Sequence, residues 1–69
     1  MEDICVTVGR NVRQARQQAG LSQEALADKA GIDRTYVSGV ERGVRNPTVT
    51  ILARLAEALG VQAADLLRS

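Results

Sequence analysis

Apolar positions recur at helical intervals almost from the first residue of this chain. Ile4, Val8, Val12, Ala15 and Ala19 follow one another every three or four residues, the spacing that lines one face of an amphipathic helix. It predicts a helix over about residues 6–19, with residues 1–3 frayed ahead of it and Gly20 as the left-handed stop behind it. Leu26, Ala27 and Ala30 form the inner face of a second helix over 23–30, and Glu24 and Asp28 its outer face. Ser22 stands where an N-cap accepts from free backbone N–H groups. Leu21 before it can fold back on Leu26 as a hydrophobic staple. Gly31 closes that helix, Ile32 plugs the turn, and Asp33 caps a third helix over about 34–42 that buries Val37 and Val40.

Gly39 inside the third helix lowers helix stability by about 1 kcal/mol relative to alanine, and a small residue there is expected to allow close packing against the second helix. Gly43 ends the third helix, and the loop Val44-Arg45-Asn46-Pro47 leads to Thr48, the cap of a fourth. That fourth helix carries Ile51, Leu52, Leu55, Ala56 and Leu59, the strongest helical stripe in the chain. Gly60 stops it, and a last short helical turn around 63–68 offers Leu66 and Leu67. Five helices with short connections predict one compact all-α domain over residues 1–69.

With 69 residues the chain has room for one small domain. Tyr36 is its only aromatic residue, so the core is aliphatic. A core of that size usually supplies only a few kcal/mol, which makes oligomerisation the obvious supplement. Cys5 is the single cysteine, so no intrachain disulfide is possible and a reducing interior fits. It reads as a small hydrophobe near the chain end, because nothing basic beside it in sequence would lower its pKa. There is no histidine, which excludes four-ligand zinc sites and the usual His-based acid–base machinery. No basic region followed by an apolar run opens the chain, and no apolar stretch nears membrane-spanning length. A soluble, cytoplasmic, non-enzymatic protein is expected, with no cofactor, no metal, no membrane partner and no evident small-molecule ligand.

Two short helices joined by a three-residue turn around Gly31 make residues 22–42 a helix-turn-helix. Such a unit presents its second helix to the DNA major groove while the first crosses the backbone, so double-stranded DNA is the expected partner. The formal net charge of +1 says little by itself, but between residues 34 and 54 Arg34, Arg42, Arg45 and Arg54 stand against Glu41 alone. Eight of the nine basic residues are arginine, whose planar fork suits phosphate and guanine edges. Arg34, Thr35 and Ser38 occupy the start and first turn of the third helix, where a docked recognition helix meets base edges. Gln23 begins the second helix, where free N–H groups and the dipole suit a phosphate, and its amide can donate to that phosphate and brace the third helix. Arg42, Arg45 and Asn46 are placed to grip the opposite backbone, contacts that position without reading sequence. Tyr36 precedes buried Val37 and is expected to turn outward, its hydroxyl or ring toward phosphate or sugar. Val61, Leu66 and Leu67 make an apolar end that a monomer does not obviously cover. A dimer formed there would set two recognition helices about one DNA turn (~34 Å) apart, on a near-palindromic site.

The ordered set Leu21-Ser22-Gln23-Glu24-x-Leu26-Ala27, Gly31-Ile32, Val37-Ser38-x-Val40-Glu41-x-Gly43, Asn46-Pro47-Thr48 and Leu55-Ala56-x-x-Leu59-Gly60-Val61 resembles the Cro/CI-type regulators, also called xenobiotic-response-element-type regulators. The resemblance covers about residues 7–67 and implies a five-helix lambda-repressor-like domain that regulates transcription, as repressor or activator. In that family an arginine late in the first helix pairs with a glutamate late in the third, and Arg16 and Glu41 match those positions. Phage repressors of the family touch RNA polymerase through acids placed like Glu24 and Asp28, which otherwise serve solvation. The run from Asp33 to Arg42 with Arg45-Asn46 is similar to the controller proteins of restriction–modification systems, which are small dimers. An antitoxin-type autoregulator and a protein-interaction module on the same fold are the alternatives.

Overall fold

Asp3 sets the start of the first helix. In the computed structural model, which describes residues 3–69, its carboxylate accepts from the Cys5 N–H at 2.8 Å, and α1 runs Ile4–Gln18. Of the three residues expected to fray, Met1 and Glu2 lie outside the described residues, and Asp3 is a cap instead. Then follow α2 (Gln23–Ala30), α3 (Arg34–Glu41), α4 (Val49–Leu59) and a terminal 3-10 helix (Ala63–Leu67). The fifth element is therefore a 3-10 helix rather than a turn of α-helix. Gln62 and Asp65 close its start into a capping box, the Asp65 carboxylate accepting from the Gln62 N–H at 3.0 Å.

The remaining starts follow side-chain chemistry. Ser22 accepts from Ala25 N–H at 3.0 Å, Asp33 from Thr35 N–H at 2.9 Å, and Thr48 from Ile51 N–H at 3.1 Å, each meeting a donor the helix leaves free. At the end of α3 the chain must turn sharply, and Gly43 does so with φ 75°. Its N–H and that of Val44 donate back to Val40 and Gly39 carbonyls, both at 3.0 Å, the paired closure of a Schellman motif.

α3 packs against α1 and α2, α4 against α2 and the 3-10 helix, and the 3-10 helix against α1. Val8, Val12, Leu26, Val37, Val40, Leu55 and Leu66 meet in the buried core, with Leu21, Ile32 and Tyr36 packed against it. Ile4 and Ala19, the outer members of the α1 stripe, are exposed, because α1 extends beyond the core at both ends. Asn11 ties the chain end to α1, its amide donating to the carbonyls of Leu66 at 2.9 Å and Arg68 at 2.6 Å.

Leu66 is a correction to the expected dimer face. It is 1% exposed and closes the core of its own chain. Leu67 is half exposed and Val61 half-buried. In a 3-10 helix neighbouring residues diverge by a third of a turn, so Leu66 and Leu67 cannot both face inward. The small residue at 39 also serves a different neighbour from the one expected. A Cβ at Gly39 would overlap the Arg45 side chain of the following loop, so it is the loop, not α2, that approaches there. The intimate helix–helix approach is at Gly9, which is buried and where a Cβ would overlap the carbonyl oxygens of Val40 and Glu41.

Candidate nucleic-acid interface

The helix-turn-helix is held in shape by one carboxylate. Glu41, at the end of α3, accepts from Arg16 Nε at 2.6 Å through one oxygen and from Arg16 Nη2 at 3.0 Å through the other. Arg16 Nη1 donates to the Leu21 carbonyl at 2.9 Å, between α1 and α2. Gln23, the first residue of α2, donates its amide to the same Glu41 at 3.1 Å. The side chains of Arg16 and Glu41 are 13% and 4% exposed. The hydrogen bond that Arg16 donates to Glu41 holds its guanidinium's pKa above the ordinary value, with burial opposing. Three helices are thus tied at one largely desolvated point.

That network changes the reading of Gln23. The amide expected to meet a phosphate already braces α3 through Glu41, and its second amide N–H is the one left for another acceptor. The network also changes the charge of α3. Glu41, the only acid within that helix, is withdrawn from the surface, while Arg34, Thr35, Arg42, Arg45 and Asn46 are exposed on it and on the loop that follows.

Each expected DNA-facing side chain has a defined setting. Arg34 and Thr35 occupy the first turn of α3. The Thr35 hydroxyl donates to Asp33 at 2.8 Å, which leaves its oxygen to accept and its methyl group free to meet an apolar edge. The backbone and hydroxyl hydrogen bonds from Thr35 hold the Asp33 carboxyl below its ordinary pKa. Ser38, one turn on, is half-buried. Tyr36 does not simply turn outward. It is half-buried against the core, and the guanidinium carbon of Arg45 lies 5.4 Å from its ring centroid, within cation–π range.

Glu24 and Asp28 lie exposed on α2, four residues apart. Burial, the neighbouring Asp3 charge and a hydrogen bond with Asp3 push the Cys5 thiol above its ordinary pKa, the opposite of what activates a thiol. Sequence reasoning missed Val49, which opens α4 and is 84% exposed. Its place directly after the Thr48 cap was the available signal, since first-turn side chains precede the apolar stripe.

The helix-turn-helix family model matches residues 12–66. The chain belongs to this family, whose matched members include transcriptional regulators and a regulator solved in complex with DNA. Among its relatives is the control protein C.BamHI of Bacillus amyloliquefaciens, 42% identical over 66 residues that span 94% of this chain and 82% of the relative. The crystal structure of the restriction–modification controller protein C.AhdI from Aeromonas hydrophila superimposes with a TM-score of 0.87 at 45% identity, covering 90% of this chain and 94% of that one. The biofilm master regulator SinR, solved in complex with DNA, superimposes with a TM-score of 0.85 at 34% identity, over 88% of this chain and 98% of that one.

Proposed function

We propose that the chain acts as a homodimer on a near-palindromic operator, with α3 of each subunit in the major groove, and that it controls restriction–modification genes. One observation carries the DNA reading furthest. The acid of α3 is buried in an ion pair while Arg34 at its start, and Arg42 and Arg45 after its end, stay exposed, so the helix offers donors and positive charge without a competing surface carboxylate of its own. Arg34 and Thr35 contact bases, Arg34 being long enough for a paired hydrogen bond to guanine, worth about 1–3 kcal/mol of discrimination. Ser38 lies one turn deeper on the same helix. Arg42, Arg45 and Asn46 hold phosphates, with the remaining amide N–H of Gln23 available for one more.

The dimer reading rests on a small aliphatic core and on apolar side chains left outside it, Val49 and Leu67 with half-buried Val61, in place of the buried Leu66. The controller reading rests on the likeness to C.BamHI and C.AhdI over nearly the whole of each chain. Titrating a random-sequence duplex while raising salt tests the DNA reading against a protein-interaction module. Binding at low salt is expected, with log K falling linearly in log salt by about 0.9 per phosphate contacted. No binding at low salt would remove the proposal, and sedimentation that finds only monomer at micromolar concentration would remove its dimer.

A further inference from the structure

Gly39 is buried in α3 with the following loop folded over it. Its carbonyl accepts from both Val44 N–H at 3.0 Å and Arg45 N–H at 3.1 Å, which folds the loop back along α3. An added Cβ would overlap Arg45 Cγ and stand 3.4 and 3.5 Å from its Cβ and Cδ. The Arg45 stem therefore crosses α3 at the point where no side chain is present. Beyond it, the guanidinium reaches the ring of Tyr36, one turn earlier on the same face of α3.

We propose that Gly39 is a positioning residue for Arg45. The bare helix surface seats the arginine stem, Tyr36 supports its charged end, and the guanidinium is held beside the DNA-reading helix before DNA arrives. The inference rests on the reading of Arg45 as a phosphate contact. A long side chain already held in place loses less rotamer freedom on binding. Any Cβ at position 39 meets the stem close to its root, at Cγ, so the stem must swing away from the surface of α3 to make room.

A double-mutant cycle on a random-sequence duplex tests this, with affinity expressed per folded molecule from circular dichroism. Gly39→Ala is expected to weaken binding by about 2- to 12-fold, the cost of immobilising one long side chain, and by no more than Arg45→Ala does. In the Arg45→Ala background, Gly39→Ala is expected to leave affinity unchanged. There it should also raise the melting temperature, because alanine is the better helix former and the overlapping Cγ is gone. If Gly39→Ala weakens binding equally in both backgrounds, it acts through the fold and the inference fails. If Arg45→Ala weakens binding and Gly39→Ala does not, the phosphate contact stands and the positioning role falls. If Arg45→Ala itself has no effect, the contact and the inference fall together. The salt slope separates these results from a loss of fold: Arg45→Ala should lower it by about 0.9.

Discussion

Glu41→Ala should cost about 3–5 kcal/mol of folding stability, the usual penalty for removing one partner of a buried ion pair. The reason lies in what remains. Arg16 keeps its charge at a site only 13% exposed, the Gln23 amide loses its acceptor, and α3 loses its ion pair with α1. A domain of 69 residues has roughly 3–10 kcal/mol to lose, so the variant is expected to be largely unfolded at growth temperature or close to it. DNA affinity per folded molecule should fall much less than stability. Replacing both charges together, Arg16→Met with Glu41→Leu, should recover much of the loss, because no charge is then left buried without a partner. Urea unfolding measures both variants against the wild type, and a midpoint for Glu41→Ala equal to that of the wild type would sink the structural role given to the pair.

Gly9→Ala tests the fold from the other side, with an expected sign opposite to simple helix propensity. Alanine in a helix interior normally gains about 1 kcal/mol over glycine. At Gly9 the new Cβ meets the Val40 and Glu41 carbonyl oxygens, which are backbone and cannot swing aside. Overpacking of this kind typically costs about 1–3 kcal/mol and occasionally more. Here α1 must also lift from α3 beside the Arg16–Glu41 pair, which places the expected loss at the upper end. The melting temperature should therefore fall, by about 4–8 °C per kcal/mol for a domain of this size. An unchanged or higher melting temperature would show that α1 does not approach α3 as closely as the structure has it.

These two positions also mark how far the sequence could be read. Apolar spacing and the caps at Ser22, Asp33 and Thr48 placed α1 to α4 within about two residues, because both signals are local. The Arg16–Glu41 pair came only through the resemblance, since no pattern within the chain links residues 25 apart. Gly9 and Gly39 were opaque for the same reason: a glycine shows that something comes close, not what. Leu66 and Leu67 are chemically alike and adjacent, so only the 3-10 geometry decides which is buried. Arg34 and Thr35 were legible as candidates because they follow directly on a helix cap. The support Arg45 takes from Tyr36 depends on the loop closing over Gly39, which is tertiary.

The central claim, that two copies of α3 read DNA together, is tested most directly by selecting bound duplexes from a random pool. The account predicts enrichment of inverted half-sites with centres one helical turn apart, about 10–10.5 base pairs. With Arg34→Ala, the enriched site should lose preference at one position in each half-site while keeping that spacing. A pool that returns no common sequence, or a single half-site without an inverted partner, would contradict it.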